Sequence, residues 1–378
     1  MIFIFGDIRM RIVHVTECLA GGVLTFLLNL TSQLNQDEHI IIYGKRDNTP
    51  DNVESLFKKN VSLIYWRNAQ REIRPKQDFL ALKELLHRLK NIKTIDILQL
   101  HSSKAGVLGR VAARMLGLQQ RTFYLPHGVS FARQDVSSRK RSFYILIEKV
   151  ANAFAGKVVA CSHSEKELLI SHGIKNVIVI NNGIKVSETE PDYKIPGQPL
   201  VFGTVGRITY QKNPRLFNKI AMHFKDDTRV QFLWIGDGEL RNEIQENEQV
   251  QVTGWVTPNE VQHYLNQIDV YISTSLWEGL PLSVLEAMNC GKPLLLSDCV
   301  GNVDTVKNGD NGFLYHTVKD AVNIIEEILL LPTKSILELE KNSYQMVRDN
   351  FSLGLLKNAY ELLYKTVLVK KIGKYENE

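Results

Sequence analysis

The sequence lacks the features of a secreted, disulfide-bonded or membrane-spanning protein. It has four cysteines in 378 residues and no C-x-x-C pair, so neither a disulfide framework nor a zinc site is expected. No apolar run reaches the ~18 residues that a membrane-spanning helix requires. The residues before Met10 are too few for a secretory signal, and we interpret residues 1–9 as an extension ahead of the first strand. A cytoplasmic protein is therefore predicted.

Acidic residues are scarce in the first half of the chain. Residues 1–195 contain 28 Lys and Arg against 18 Asp and Glu, whereas the remainder contains 18 against 23. A basic half favours an anionic partner. The sequence shows no RNP-like run, zinc finger or helix-turn-helix signal, so nucleic acid is not expected as that partner. An anionic membrane surface or a lipid pyrophosphate fits better.

Short apolar runs alternate with helical patterns along the chain. Six runs in the first half are predicted strands: Arg11–Val15, His39–Tyr43, Val61–Tyr65, Ile95–Leu100, Arg121–Leu125 and Lys157–Cys161. This alternation predicts a doubly wound parallel sheet, which binds ligands at the carboxyl ends of its strands. The length exceeds that of one ordinary core, and a proline-rich polar segment precedes a second strand–helix series at Leu200. We therefore predict one domain at residues 1–195 and another at 196–350.

The stretch from Asp269 to Pro293 is the most informative part of the sequence. It reads as a short apolar strand, a tight loop, and a helix predicted to begin at Pro281 and to end at Gly291. Proline suits the first helical turn, and glycine suits the position after the last turn. A loop that leads into a helix start points backbone N–H groups and the positive end of the helix dipole into one crevice, where anions bind.

Two carboxylates accompany this helix start, because Glu278 precedes it and Glu286 lies within it, with seven residues between them. Acids repel phosphate, but they suit the hydroxyl groups of a ligand that also carries phosphate. A nucleotide sugar is such a ligand. The alternative is that both side chains are solvated, as most glutamates are, although the neighbours of Glu286 in the sequence are apolar.

The run Glu-Gly-Leu-Pro-Leu-Ser-Val-Leu-Glu-Ala-Met, which starts at Glu278, resembles the E-x7-E signature of the retaining family-4 glycosyltransferases of GT-B fold. The resemblance extends over essentially the whole chain. It implies an α/β protein with two Rossmann-like, doubly wound parallel-sheet domains facing a cleft. It also implies a C-terminal helix and tail, residues 351–378, in which the helix crosses back to the first domain.

The resemblance assigns the sugar contacts to the helix start. It implies that Glu278 holds the donor sugar together with backbone groups of the next residues, and that Glu286 holds the ribose hydroxyls. The residues that continue this donor site are Gly279, Leu280 and Pro281. A role of Glu278 as a covalent nucleophile is an alternative.

The turn formed by Gly206, Arg207 and Lys212 resembles the family's G-R-x4-K element. Two long cations at one strand end suit a pyrophosphate, since arginine makes paired N–H contacts and lysine acts as a point charge. The resemblance implies that they bind the donor diphosphate and neutralise it as it departs. A solvated basic loop is the alternative.

Other family positions are weaker signals. Gly21 and Gly22 follow the first strand, where the family has its glycine loop, although a plain tight turn accounts for them equally well. His127 follows another predicted strand at a point where the family places a histidine near the donor sugar and acceptor. His101 ends a further strand and faces the same expected crevice. A capping or packed histidine is the alternative for His127.

Trp255 and Val256 occupy the loop that the family sets against the nucleobase. The sequence contains no D-x-D triplet, the usual metal–diphosphate clamp of the other major glycosyltransferase fold. We therefore expect no metal and no other cofactor, with a UDP- or GDP-sugar as co-substrate.

Three consecutive cations, Arg139, Lys140 and Arg141, precede an apolar helical run that extends to Val150. A basic amphipathic helix lies readily on an anionic bilayer, where each cation contributes about 1 kcal/mol. Association of Arg139–Val150 with the inner face of the plasma membrane is therefore one interpretation. An ordinary core helix with a solvated start is the other.

Together these patterns predict a retaining, metal-independent glycosyltransferase that moves a hexose or N-acetylhexosamine from a nucleotide sugar to a glycan acceptor. The basic first half suggests a polyprenyl-linked intermediate of surface polysaccharide, O-antigen or capsule, as that acceptor. Two alternatives stay open. One is a nucleotide-sugar 2-epimerase or hydrolase of the same fold, and the other is a non-catalytic protein that binds sugar nucleotides.

Overall fold

The computed structural model describes residues 9–193, 197 and 199–375. The predicted extension lies outside these residues except for Arg9, and residues 195 and 196, which flank the predicted domain boundary, lie outside them as well. The strands are β1 (Arg11–Thr16), β2 (Glu38–Tyr43), β3 (Val61–Tyr65), β4 (Ile97–His101), β5 (Thr122–Leu125), β6 (Lys157–Ala160), β7 (Val177–Val179), β8 (Leu200–Val205), β9 (Val230–Ile235), β10 (Val250–Val252), β11 (Val270–Ser273), β12 (Leu294–Ser297) and β13 (Gly312–Tyr315).

The α-helices are α1 (Gly21–Gln33), α2 (Pro75–Lys90), α3 (Ser103–Met115), α4 (Ser138–Phe154), α5 (His163–Ser171), α6 (Pro214–His223), α7 (Pro258–Leu265), α8 (Leu282–Asn289), α9 (Val318–Leu329), α10 (Thr333–Asn350) and α11 (Leu353–Tyr375). None of the helices in the described ranges combines the length and apolar character needed to cross a bilayer.

The first compact unit contains the described residues of Met1–Phe131, Ser138–Gly183 and Leu353–Glu378. Its parallel sheet has the strand order β3-β2-β1-β4-β5-β6-β7. Strands β1, β2 and β4 are almost entirely buried, as expected of parallel strands that helices cover on both faces. The order changes direction between β1 and β4, so the loops after these strands diverge and open a crevice at the carboxyl edge.

The second compact unit contains Ala132–Ser137 and the described residues of Ile184–Ser352. Its parallel sheet has the order β10-β9-β8-β11-β12-β13, with the change of direction between β8 and β11. An aromatic cluster of Phe202, Phe217, Phe232 and Trp234 lies in its core. The predicted fold class is confirmed, because two doubly wound parallel sheets are present.

Helix α11 belongs to the first unit although it follows the second unit along the chain. Leu356, Tyr360 and Tyr364 are buried in the same cluster as Phe26 of α1, and the Tyr364 hydroxyl donates to the side-chain oxygen of Gln99. Full burial of such a side chain contributes about 1.5–3 kcal/mol, so several of them anchor the helix. The chain passes between the units after residues 131, 137, 183 and 352. The boundaries predicted from the sequence were after residues 195 and 350.

Helix α4 lies against α3 but buries few of its own side chains, with Glu148 and Ala151 buried. Glu148 accepts a hydrogen bond at 2.5 Å from the guanidinium of Arg110 on α3. Elsewhere on the helix, Phe143, Leu146, Val150 and Phe154 are between 40% and 56% exposed. These four residues, which we call the α4 apolar stripe, are spaced so that they fall on one face of the helix.

Candidate active site

The carboxyl edge of the second sheet carries ten of the thirteen predicted site residues. Strand β8 leads into Gly206, Arg207 and Lys212, and the neighbouring strand β11 leads into Glu278 and helix α8. Because adjacent parallel strands end at the same edge, the two loops lie side by side. The register of β8 with β11 thus brings together the two motifs that are about 70 residues apart in the sequence.

Lys212 and Glu278 form an ion pair at the centre of this edge. The Nζ atom lies 2.8 Å from Oε1, and the two side chains are 19% and 10% exposed. Burial opposes the charge on Lys212, but the Glu278 carboxylate outweighs it and raises the pKa of the amine. Removal of either partner would leave the other charge uncompensated in a poorly solvated place, which costs several kcal/mol.

The local sequence around Lys212 holds this side chain in place. Asn213 adopts a left-handed conformation and caps α6, with Pro214 as the first helical residue. The hydroxyl of Thr274, from the loop after β11, donates to the Lys212 carbonyl at 2.7 Å. At Gly206, whose φ is 152°, a Cβ would lie 3.1 Å from the Lys212 side chain. Glycine therefore leaves room for the lysine at this turn.

Glu278 is held by residues that the motif analysis did not identify. Ser275 donates to its Oε1 at 2.8 Å, and Gln211 donates to its Oε2 at 3.2 Å. Behind the loop, Gly301 has a φ of 87°, and a Cβ there would lie 2.6 Å from the Gly279 carbonyl oxygen. Gln211 lies within the G-R-x4-K element, beside its lysine, so its position in the motif was an available signal.

Glu286 lies on α8, which begins at Leu282 with Pro281 as its cap and ends at Asn289. The helix is therefore slightly shorter at each end than predicted. Glu286 is half-buried. Burial raises the pKa of its carboxyl to about 7, and the Lys212 charge offsets part of this effect. A fully solvated Glu286 is therefore not favoured, since burial is the main cause of the raised pKa and its neighbours Leu285 and Ala287 on α8 are buried.

Arg207 is exposed and makes no ion pair or hydrogen bond with the residues that the structure describes. Its charge therefore remains available at the Gly206 turn. Trp255 is 68% exposed and, with Val256, follows β10, two strands away from β8 in the sheet. Gly279, Leu280 and Pro281, which complete the predicted donor site, are buried between Glu278 and α8.

The remaining three predicted residues lie in the first unit. A Cβ at Gly21 or Gly22, where α1 begins, would meet no atom within 4 Å, so packing does not require glycine there, although Gly21 has a φ of 54°. His127 follows β5 with a left-handed φ of 53°. Its Nε2 atom lies 2.9 Å from Nδ1 of His101. The two histidines that the sequence placed at one crevice are therefore in direct contact.

This arrangement has a definite chemical capacity. Lys212 and Arg207 offer positive charge to an anion such as a diphosphate. Glu278 and Glu286 offer carboxylate oxygens to hydroxyl groups. Within the described ranges no group of three or more His, Cys, Asp or Glu side chains is arranged to hold a metal ion.

Two family profiles match this chain, and the regions that they match correspond closely to the two units. The profile described as "Glycosyltransferase Family 4" matches residues 20–188, and the profile described as "Glycosyl transferases group 1" matches residues 186–346. An Escherichia coli relative, "UDP-Gal:alpha-D-GlcNAc-diphosphoundecaprenol alpha-1,3-galactosyltransferase", is 31% identical over 358 residues, covering 86% of this chain and 87% of the relative.

Two further similarities extend over most of the chain. A Campylobacter jejuni relative, "N,N'-diacetylbacillosaminyl-diphospho-undecaprenol alpha-1,3-N-acetylgalactosaminyltransferase", is 25% identical and covers 88% of this chain and 92% of its own length. The crystal structure of Anabaena Alr3699/HepE in complex with UDP has a TM-score of 0.73 at 17% identity, covering 94% of this chain and all of that one. At this identity the second similarity concerns the fold alone.

The predicted resemblance is confirmed, and glycosyl transfer is favoured over the epimerase and binding-protein alternatives. Both halves match glycosyltransferase profiles, and a relative above 30% identity covers most of the chain. The chain therefore belongs to family 4 of the glycosyltransferases, with the GT-B fold.

Proposed function

We propose that this glycosyltransferase moves a hexose or N-acetylhexosamine from a UDP-sugar to a polyprenyl-diphosphate-linked glycan during assembly of O-antigen or capsule. The observation that carries the proposal is the poorly solvated Lys212–Glu278 pair at the start of α8. The choice of donor and acceptor class is supported by the name of the Escherichia coli relative. That name gives UDP-Gal as the donor and a sugar linked to diphosphoundecaprenol as the acceptor.

Lys212 and Arg207 are proposed to bind the donor diphosphate. Negative charge grows on this group as the bond between the sugar and the phosphate oxygen breaks. A fixed cation with limited exposure stabilises such charge more than water does, because it needs no reorganisation. These two side chains supply the positive charge that a divalent ion supplies in other transferases, which is our reason for proposing a metal-independent enzyme.

The carboxylates are proposed to bind the hydroxyl-bearing parts of the donor. Glu286 accepts from the ribose hydroxyls, and Glu278 accepts from the sugar hydroxyls. The backbone N–H groups of Gly279 and Leu280 donate to the sugar, and Pro281 lies next to them in the donor site. The exposed indole of Trp255, with Val256, is proposed to face the nucleobase, where an aromatic surface provides stacking area.

We propose that transfer retains the anomeric configuration. The bond from the anomeric carbon to the phosphate oxygen breaks, the acceptor hydroxyl oxygen bonds to that carbon on the same face, and the hydroxyl proton passes to the departing phosphate oxygen. A covalent role for Glu278 is less favoured. Both of its oxygens are engaged, by Lys212 and Ser275 on one side and by Gln211 on the other, which lowers their nucleophilicity.

Helix α4 is proposed to bind the inner face of the plasma membrane. The α4 apolar stripe is exposed. The helix also carries four cations and one acid, Glu148, which is buried and forms an ion pair with Arg110. The exposed side is therefore positive as well as apolar, a combination suited to anionic lipid. The alternative of a core helix is not supported by so few buried side chains.

The proposed activity is tested by incubating purified protein with UDP-galactose, UDP-glucose, UDP-N-acetylglucosamine or UDP-N-acetylgalactosamine, with and without a polyprenyl-diphosphate-linked saccharide. We expect a product that depends on the acceptor, with the anomeric configuration of the donor by proton NMR. Acceptor-independent isomerisation, or nucleotide binding without turnover on any pair, would refute the proposal. GDP-mannose, run in parallel, decides between the two nucleotides.

A further inference from the structure

Four imidazoles form a continuous hydrogen-bonded series inside the first unit. Nδ1 of His39 lies 3.0 Å from Nε2 of His14, and Nδ1 of His14 lies 3.1 Å from Nε2 of His101. Nδ1 of His101 then lies 2.9 Å from Nε2 of His127. At the opposite end, Nε2 of His39 lies 3.0 Å from the carbonyl oxygen of Leu34. We call this series the histidine chain.

The strand register explains how the histidine chain forms. The pairs across neighbouring strands are His39 with Ile12, His14 with Gln99, and His101 with Leu125. From His39 to His14, and from His14 to His101, each step leads to the neighbouring strand and two residues nearer the carboxyl edge. His127 lies two residues beyond Leu125, just after the end of β5. A step of two residues keeps the side chains on the same face of the sheet. The histidine chain therefore runs diagonally from the interior of the sheet to the edge where ligands bind.

The Leu34 carbonyl sets the direction of every hydrogen bond in the series. A carbonyl oxygen only accepts, so His39 donates from Nε2, and a neutral imidazole has a single N–H. Nδ1 of His39 must then accept from Nε2 of His14. The same reasoning passes to His101 and to His127, so all four rings carry their proton on Nε2. The Nδ1 atom of His127 is left with a lone pair.

The surroundings favour neutral rings. Burial lowers the pKa of His14 and His101 well below the usual value, and repulsion from the adjacent imidazoles adds to this effect. Burial also lowers the pKa of His39 and of His127 to about 4, with the Leu34 carbonyl offsetting part of the effect at His39. At neutral pH the directional argument therefore applies to uncharged imidazoles.

His127, the last member of the series, has a strained backbone conformation. His127 has a φ of 53°, a conformation that costs energy for a residue with a side chain and is retained mainly at functional sites. Phe26 packs edge-on against its ring. The next residue, Gly128, donates its N–H to Glu165 at 2.8 Å. The ring and the backbone next to it are thus both held in place.

We propose that His39, His14 and His101 are positioning residues that hold His127 as the Nε2–H tautomer, so that its Nδ1 accepts a hydrogen bond from a hydroxyl group of the bound saccharide. A lone pair repels phosphate oxygens and selects a hydroxyl donor. The saccharide rests on the proposed function, whereas the tautomer follows from the histidine chain alone. The two parts are therefore tested separately.

The tautomer is tested without any substrate. In full-length protein labelled with ¹⁵N-histidine, long-range ¹H–¹⁵N correlation at pH 7.5 distinguishes protonated from unprotonated ring nitrogens. We expect the four rings, assigned by through-bond correlation to their own backbone signals, to show a protonated Nε2 and an unprotonated Nδ1. A protonated Nδ1 on His127, or a charged ring at this pH, would overturn the proposal even if no variant of the series folds.

The dependence of the His127 tautomer on the opposite end of the histidine chain is tested with His39→Leu. This substitution removes the acceptor for Nε2 of His14. With the protons on Nε2, the buried N–H of His14 is then left without an acceptor, which is costly. Moving the protons to Nδ1 in the three remaining rings removes that unpaired donor and keeps both remaining inter-ring hydrogen bonds, so His127 should gain a population protonated at Nδ1. His223→Leu, on the exposed side of α6, should leave the His127 signals unchanged. An unaltered His127 tautomer in folded His39→Leu would show that the far end of the histidine chain does not determine it.

The saccharide contact is tested by transfer kinetics. His39→Leu should lower kcat/KM about tenfold, the change expected when one good hydrogen bond is lost, while the Kd for UDP changes less than twofold. An unchanged kcat/KM with an altered tautomer would refute the hydroxyl contact. If the wild-type protein transfers no sugar, the proposed function fails, but the NMR result still decides the tautomer.

Discussion

The two units present different chemistry at the carboxyl edges of similar sheets. In the first unit four neutral imidazoles form a hydrogen-bonded series that ends at His127. In the second unit the predicted site is built on an ion pair between Lys212 and Glu278. Burial of a neutral ring costs much less than burial of an ion, provided that its hydrogen bonds are made. The first edge is thus suited to hydroxyl groups, and the second to a group on which charge develops.

The same comparison separates two ways of fixing a side chain. His127 is oriented by a row of side chains on neighbouring strands, which depends on sheet register. Glu278 is oriented by Ser275 of its own loop, by Gln211 of the neighbouring turn after β8, and by the close approach that Gly301 permits. We therefore expect variants in the second unit to act locally on catalysis, and variants in the first unit to act over a distance.

The largest expected effect is that of Lys212→Ala, which removes the charge at the second edge. Because this cation is proposed to stabilise the departing diphosphate, kcat should fall about 10²- to 10³-fold, with a smaller change in the Kd for UDP. Steady-state kinetics and nucleotide titration measure the two quantities. Lys219→Ala, at an exposed position of α6, is the matched control. Turnover of Lys212→Ala close to wild type would contradict the leaving-group role.

The second expected effect concerns the basic surface of the first unit. Arg139→Ala combined with Lys140→Ala should weaken binding to phosphatidylserine-containing vesicles about thirtyfold, since each cation contributes about 1 kcal/mol near an anionic surface. Vesicle sedimentation measures the partition coefficient. The double variant Lys334→Ala, Lys341→Ala removes the same charge from α10 and should have little effect. Equal losses in both variants would show that net charge, rather than α4, determines binding.

The third expected effect is a dependence of UDP binding on pH, caused by Glu286 in the second unit. The neutral imidazoles of the first unit should cause no such dependence in this pH range. The pKa of Glu286 is raised to about 7, and the proposed ribose contact needs the ionised carboxylate. As the pH falls from 8 to 6 the ionised fraction falls about tenfold, so the Kd for UDP should rise by about that factor. Isothermal titration at pH 6, 7 and 8 measures it.

Two variants test whether Glu286 is the source of this pH dependence. Glu286→Gln should bind UDP more weakly at pH 8 and should show a flat profile. Glu340→Gln should keep the wild-type profile, although burial raises the pKa of Glu340 to about 7 as well. A profile that is unchanged in Glu286→Gln would remove the ribose assignment.

The smallest expected effect is that of Ser275→Ala, which removes the hydrogen bond to Oε1 of Glu278. Loss of one bond to a carboxylate that keeps its ion pair costs about 1 kcal/mol, so kcat/KM should fall about fivefold. The measurement is transfer at low donor concentration. A loss as large as that of Lys212→Ala would mean that Ser275 does more than orient the carboxylate.

Much of the fold was accessible from the sequence, for physical reasons. Buried parallel strands are short apolar runs, and Pro281 and Gly291 punctuate α8 as their backbone preferences require. Lys212 and Glu278 could be chosen as candidates from the sequence because each follows the end of an apolar strand by a few residues. The profiles for both halves then confirmed the family.

The histidine chain was not accessible in the same way. His14 and His39 sit inside apolar strands, and only the two-residue offset between paired strands brings them into line with His101. Strand order and register arise from tertiary packing, and no local pattern encodes them. The shifted pKa of Glu286 was equally hidden, because it depends on burial by residues distant in the sequence.

The most direct test of the central claim is a crystal structure of the protein with bound UDP. The account predicts diphosphate oxygens within hydrogen-bonding distance of Arg207 and Lys212, and ribose hydroxyls on the Glu286 carboxylate. A nucleotide bound elsewhere, or bound here with its diphosphate remote from both cations, would contradict it.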